Sequence, residues 1–404
     1  MSEQINIKFL PANQTLWLDL MTENDDEEQK NKCDQNKKYL NEMLLSSMQM
    51  QNIMVLAGCG TSLGEVGGPS MKDLWNLCTK ELKKSKMDYS DAAKNVSKIT
   101  GYNISDENKV NIEEMLSLCE AYVQINNNNN DINNFIEHCK TKILEACSFE
   151  TTEEALDGHR TFIHRLSRRR VRDSRLKIFT TNYDNCFEKS AGHQGLVVIN
   201  GFSFASPRVY DSRYFDYDII RRDSKADNIT NYLEGVFHLY KLHGSVNWER
   251  NIDDKIEEKK ATPKGVCMIF PARGKYQQSY IQPHLELMAR YLSSLRDPNT
   301  CLLVCGFGFN DNHFAEPIIS AIETNPYLKV IIVDKDAEKM LNHKSTGRVN
   351  QYWNKLKVMS TNGENVWFIN ATFTAFSKLI PDLRSLTPAE KIVHNIKNIV
   401  REND

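Results

Sequence analysis

Apolar residues follow two rhythms along this chain. Short, mostly apolar runs occur at 53–57, 176–180, 196–199, 236–242, 266–270, 301–305 and 329–333, with a further candidate at 366–369. Such runs predict strands buried on both faces of a parallel sheet. Between them, apolar positions recur at helical spacing: Leu40, Met43, Leu44 and Met48 within 39–50; Met71, Leu74, Trp75 and Cys78; Ile112, Met115, Leu116, Leu118 and Cys119; Phe162, Ile163 and Leu166. Strands alternating with helices predict an α/β fold, a Rossmann-like open parallel sheet with helices on both faces. The first two strands are separated by a long helical stretch, an insertion at about 71–172. Three divisions follow: an N-terminal extension with a helix at 1–50, a Rossmann domain at 51–380, and a C-terminal amphipathic helix at 381–404. In that last segment Thr387, Pro388 and Glu390 form a start signal, and Ile392, Val393, Ile396, Ile399 and Val400 form one stripe. The stripe fits packing on its own domain or a docking surface.

The polar residues that end the runs change the picture from fold to site. In an open parallel sheet, ligands bind beyond the carboxyl ends of the strands. The 53–57 run leads into Gly58-Cys59-Gly60-Thr61-Ser62, and the later runs end at Asn182 and Asp184, at His243, at Gly306 and Gly308, and at Asp334. Gly58 and Gly60 are expected to turn with positive φ, and Thr61 or Ser62 to cap a helix whose free N–H groups attract a pyrophosphate. The spacing is neither G-x-G-x-x-G, since Gly64 comes one residue late, nor a P-loop, since no Lys-Ser/Thr pair follows. A tight strand-to-helix turn is the equal alternative. Asn182 and Asp184 fit Asx turns as well as ligand contacts. His243 fits a hydrogen-bonded core histidine, Cys59 a packing residue rather than a nucleophile, and Asp311 with His313 a helix cap.

Composition adds mostly exclusions. A formal net charge of -2 over 404 residues gives no global reason to expect nucleic acid or membrane. No apolar run reaches membrane-spanning length, and the first residues lack a signal-peptide layout, so a cytoplasmic protein is expected. None of the 10 cysteines is spaced C-x-x-C, so no metal site is expected from spacing. The arginines at 168, 169, 170, 172 and 175 read as a solvated helix end, with a phosphate or acidic partner as the alternative. Residues 124–134 read as an Asn-rich loop, and 249–260 as a charged loop.

Taken together and in order, these motifs resemble the sirtuin family. Ala57-Gly58-Cys59-Gly60-Thr61-Ser62 is similar to its Gly-Ala-Gly-x-Ser loop, Thr181-Asn182-Tyr183-Asp184 to its Thr-Gln-Asn-x-Asp, Leu242-His243-Gly244 to its His-Gly, and Gly306-Phe307-Gly308 to its late nucleotide contact. The deacylase members carry a four-cysteine zinc module after His-Gly, whereas residues 245–264 here contain no cysteine. The chain therefore looks most like the sirtuin-like NAD hydrolases of bacterial antiphage defence. The stretches 240–245 with Trp248, 200–202, and 306–311 with His313 look like the members that assemble with a HerA-type ATPase.

The resemblance implies NAD as substrate, no zinc, a homo-oligomer and a HerA-type ATPase partner. It implies catalytic roles for Asn182, His243 and Asp184, and cofactor contacts from Ala57, Gly58, Gly60, Thr61, Ser62, Gly306 and Gly308; Asp334, from its strand-end position alone, is a candidate ribose ligand. The chemistry suits these residue types. Nicotinamide leaves as a neutral molecule from a cationic precursor and needs no general acid, while the ribose becomes oxocarbenium-like, as in glycoside hydrolysis. An amide can orient ribose hydroxyls or water, a histidine can take a proton near neutral pH, and a carboxylate can face the developing cation. An NAD-dependent protein deacylase and a non-catalytic nucleotide-binding scaffold are the competing expectations.

Overall fold

The computed structural model describes residues 7–21, 26–83, 86–106, 110–126, 129–170, 173–220, 232–259, 265–271, 281–342 and 351–382. One nine-stranded sheet dominates it. Its strands run in the order Leu18–Asp19, Lys8–Leu10, Val366–Asn370, Leu328–Asp334, Thr300–Cys305, Asn52–Ala57, Leu176–Thr180, Val236–Lys241, Val197–Ile199. From Val366–Asn370 onward every neighbour is parallel. The two N-terminal strands pair antiparallel at the edge.

The apolar runs form strands because both of their faces are covered. Ile53, Val55, Ala57, Ile178, Cys301, Leu303, Ile331 and Val333 pack on one side with the Glu27–Met48, Asp157–Leu166 and Phe373–Leu379 helices, through Leu44, Phe162 and Phe376 among others. Met54, Leu56, Phe179, Leu302, Val304, Val330 and Ile332 face the other side. There they meet the His284–Ser294, Asn312–Thr324 and Gln351–Thr361 helices. This is the expected α/β layering, with helices on both faces of a mostly parallel sheet.

The insertion builds a second core. Helices Met71–Thr79, Asp91–Thr100, Ile112–Asn126 and Asn130–Cys147 bury Leu74, Trp75, Val96, Met115, Phe135 and Ile143 together. A separate three-stranded antiparallel sheet packs on them through Val246, Met268 and Phe270.

Several local expectations are corrected. The run at 266–270 forms the Val266–Met268 strand of that small sheet, not a strand of the parallel one. The charged stretch 249–260 is not a plain loop, since it carries the end of Gly244–Arg250 and all of Ile256–Glu258, which pair with each other. Residues read as wholly helical include a hairpin, Lys80–Lys83 with Lys86–Tyr89. Within the Asn-rich tract, helices reach Asn126 and resume at Asn130, where Asn129 accepts from the Asp131 and Ile132 amides. The first helix begins at Glu27 rather than at residue 39, because Asp26 caps it and the polar face of 31–38 points to water. The arginine cluster is solvated only in part: Arg170 is exposed, while Arg169 and Arg175 are engaged within the fold. Arg169 is buried and donates to the carbonyls of Met48, Met50 and Gln51, and Arg175 pairs with Asp218. Arg172 and the stripe at 392–400 lie outside the described residues. Among the described residues, no helix is long and apolar enough to cross a membrane.

Candidate active site

The chain enters the parallel sheet at Asn52–Ala57, builds outward on one side, then returns to the other side of that strand with Thr300–Cys305. The order therefore reverses between these two strands, where ligands bind in such sheets. The turns that follow them touch. Gly58 N donates to Cys305 O at 3.0 Å, and Gly60 N donates to Gly306 O at 2.9 Å. A Cβ on Gly58 would lie 2.6 Å from Gly306 O, and one on Gly60 would lie 2.6 Å from Gly306 Cα. Glycine is required here for close approach. The positive φ expected at Gly58 is not adopted, since its φ is -108°. Gly306 does adopt one, at +58°. The helix expected at Thr61 and Ser62 does not start there either. A short 3-10 turn, Cys59–Thr61, precedes another, Gly64–Val66, and the next α-helix begins at Met71 under a Ser70–Asp73 capping box.

Thr61 and Ser62 instead receive Asn182. Its amide nitrogen, as assigned, donates to Thr61 Oγ1 and Ser62 Oγ, each at 3.1 Å, and its backbone N–H donates to Thr180 Oγ1. These bonds direct the remaining polar atom of the side chain, Oδ1, to act as an acceptor. Asp184 makes the Asx turn, accepting from Cys186 N at 3.0 Å. His243 follows the Val236–Lys241 strand, nearly buried, with Nε2 3.5 Å from Asp311 Oδ2. Asp311 also caps its helix by accepting from His313 N. The cap reading of Asp311 is thus right, and a pairing with His243 stands beside it.

A cavity of about 550 Å³ opens over these strand ends. Cys59, Ser62, Asn182, Asp184, His243, Gly308 and Asp311 line one side, while Leu74, Trp75, Asn111, Glu113, Cys147 and Phe149 of the insertion and its flank line the other. Ala57, Gly58, Gly60, Thr61 and Gly306 are not part of that wall; they set the turns that present it. Asp334 is not on it either. Its Oδ1 accepts from Asp336 N at 2.8 Å, and burial raises its carboxyl above the usual range. Cys59 is exposed at the cavity, and partial desolvation there, with Asp334 nearby, pushes its thiol up, which disfavours a nucleophilic role. The insertion wall had no sequence signal beyond helical periodicity. Among the described residues, no group of three or more His, Cys, Asp or Glu is placed to hold a metal ion.

Behind His243, His284 Nδ1 sits 3.1 Å from Leu242 O. Burial lowers His284 from the usual value near 6.5 to about 4, and does the same to His159 and His238. These histidines are neutral when folded, while the unfolded chain protonates them near 6.5. Stability is therefore complete above about 6.5 and falls as pH drops from 6.5 toward 4. Melting temperature against pH should decline across that window. His159 has no hydrogen-bond partner on either ring nitrogen and packs against Phe187 and Phe373, each at 4.9 Å between ring centres. Replacing it with Phe should flatten part of the decline, and an unchanged slope would contradict this account.

Residues 176–359 match the SIR2-like domain family. That span holds Asn182, Asp184, His243, Gly306, Gly308, Asp311 and Asp334, but not the first glycine turn. No curated protein matches this chain. Among solved structures, a Sir2 homologue in complex with NAD is similar over 84% of this chain and 91% of its own, at 12% identity and a TM-score of 0.40. A Sir2 variant with a deacetylated p53 peptide and 3'-O-acetyl ADP ribose is similar over 85% and 96%, at 9% identity and a TM-score of 0.37.

Proposed function

We propose that this chain is an NAD glycohydrolase that cleaves the bond between nicotinamide and ribose. The observation that carries the reading is the convergence of Asn182, Asp184 and His243 on one cavity at the reversal of strand order. The SIR2-like match over 176–359 supports it. In the reaction the C1′–N bond breaks and its electron pair neutralises the pyridinium nitrogen. Water forms the new C1′–O bond and releases a proton. His243 takes that proton, and Asp311 holds the imidazole in place. The Asp184 carboxylate faces the cationic sugar, and Asn182 Oδ1 accepts from a ribose hydroxyl or the water. The Asn182–Thr61–Ser62 bonds fix this acceptor before substrate arrives, so little reorganisation is needed at the transition state. Release of nicotinamide from NAD by the purified chain tests the reading.

The proposal extends to regulation, where its support is the sequence resemblance alone. An NADase free in a cell would be toxic, so its activity is held low until a homo-oligomer and a HerA-type ATPase assemble around it in antiphage defence. A partner can shift the active population only by contacting the two states differently. Light scattering with and without a HerA-type ATPase, run beside NAD turnover, should show a multimer, a larger complex and a changed rate. A monomer whose rate ignores the ATPase would refute the regulatory part and leave the chemistry standing.

A further inference from the structure

The Val236–Lys241 strand ends on a lysine that is only 1% exposed. Lysine is almost never buried to that degree without partners. Here all its partners belong to the segment that carries Asn182 and Asp184. Lys241 Nζ donates to Tyr183 O at 3.1 Å, to Asp184 O, and to Asn185 Oδ1 at 3.1 Å. Glu188 Oε1, from the helix that follows, lies 3.3 Å away and balances the charge.

The geometry has a specific consequence. The carbonyl of Tyr183 belongs to the peptide before the Asp184 Cα, and the carbonyl of Asp184 to the peptide after it. One ammonium therefore holds both peptides that flank Asp184, which fixes the φ and ψ of that residue. Neutral apolar packing could not do this, because the Asp184 carbonyl would lose the ammonium donor, whereas Tyr183 O would keep the Val246 N–H at 3.1 Å. The same cluster reaches outward. Ser245 Oγ lies 3.2 Å from Tyr183 O and 3.1 Å from Asn185 Oδ1, and bonds Asn247 Oδ1 at 2.7 Å. Asn247 donates to Glu258, which pairs with Arg208, and Arg208 donates to Asn200 Oδ1 at 3.0 Å. The catalytic loop is thus tied to the small sheet and to the Asn200 turn through one chain of polar contacts.

We infer that Lys241 is a positioning residue. Its ammonium clamps the Tyr183–Asp184–Asn185 backbone and so sets where Asp184 and Asn182 face the cavity. This rests on the glycohydrolase reading for its catalytic consequence, but not for its structural one.

The test uses the full chain with Lys241→Met combined with Glu188→Gln, which avoids leaving an unpaired buried carboxylate. Misplacing a reacting group by about 1 Å can cost on the order of 10²-fold in rate. The expected result is a fall of that size in kcat for NAD, with KM changed by less than about threefold. Amide hydrogen exchange should show lost protection confined to residues around 181–189. An unchanged kcat, or unchanged protection in that segment, would overturn the inference, as would a loss of protection spread over the whole parallel sheet. Should the pair fail to give a wild-type melting profile, Lys241→Gln with Glu188→Gln replaces it under the same criteria. If the wild-type chain releases no nicotinamide even in its native assembly, the functional reading is what has failed. The exchange measurement, which needs no turnover, then decides by itself whether Lys241 holds the loop.

Discussion

Asn182→Ala and His243→Ala should each lower NAD cleavage by about 10²- to 10⁴-fold, the usual effect of losing positioning or proton transfer. The folded state should survive both changes. Asn182 makes its side-chain bonds to two hydroxyls, Thr61 Oγ1 and Ser62 Oγ, at a cavity wall that water can reach. His243 stands against Phe314, with ring centres 5.3 Å apart, and against Asp311. Truncation there removes one ring from a rim and not from the centre of a core. Asp311→Asn should show a smaller loss, because it weakens the hold on the imidazole and leaves the imidazole itself in place. It also keeps a side-chain oxygen for the His313 N–H, so the helix cap persists. Steady-state nicotinamide release beside a melting curve checks all three. Near-normal turnover in the folded Asn182 and His243 variants would remove the catalytic assignment.

Gly306→Ala should damage fold and activity together. Gly306 has φ +58°, where a residue with a side chain costs roughly 1–3 kcal/mol. An added Cβ would also lie 2.6 Å from Gly60 C and Cα and 2.7 Å from Thr61 N. All three are main-chain atoms, so no side chain can move aside to relieve the contact. The two turns at the strand reversal must separate, and Thr61 and Ser62 then lose their place beneath Asn182. The expected outcome is a large drop in melting temperature and turnover reduced by more than about 10²-fold. Gly64→Ala is the matched comparison. Gly64 has φ +70°, but nothing lies within 4 Å of its added Cβ. It carries the backbone cost without the collision, about 1 kcal/mol, and should retain most activity. Equal damage from the two substitutions would mean that the contact between turns is not what demands glycine.

The parallel sheet was legible because strands covered on both faces carry apolar runs, as 301–305 and 330–333 do. The two N-terminal strands were not, since Lys8–Leu10 and Leu18–Asp19 are too short to show alternation. The hairpin at Lys80–Lys83 and Lys86–Tyr89 was hidden for another reason. Its Leu82 and Met87 are exposed, so no buried face imprints a pattern. The small sheet was missed because Glu249 and Glu257 sit on paired strands that keep one side in water.

Within the site, residues at the strand ends could be named from sequence, because topology alone brings such positions together. Their roles were less legible. Gly58 and Gly60 serve contact rather than a positive φ, a distinction that depends on where the Gly306 turn lies. Trp75, Asn111 and Glu113 reach the cavity from the insertion, and helical periodicity reveals a buried face without saying what that face meets. Lys241 was visible only as part of a motif. Its burial follows from carbonyls that converge after folding, which no local pattern encodes.

The central claim is chemical, and one measurement addresses it most directly. Purified chain is incubated with NAD, and nicotinamide and ADP-ribose are quantified over time, with the Asn182→Ala protein run in parallel. The account predicts that the two products appear in equal amounts with the wild-type chain, without added acyl-lysine peptide or metal, and that the variant is slower by at least about 10²-fold. Intact NAD after prolonged incubation, under conditions where the chain is folded and in its native assembly, would contradict it.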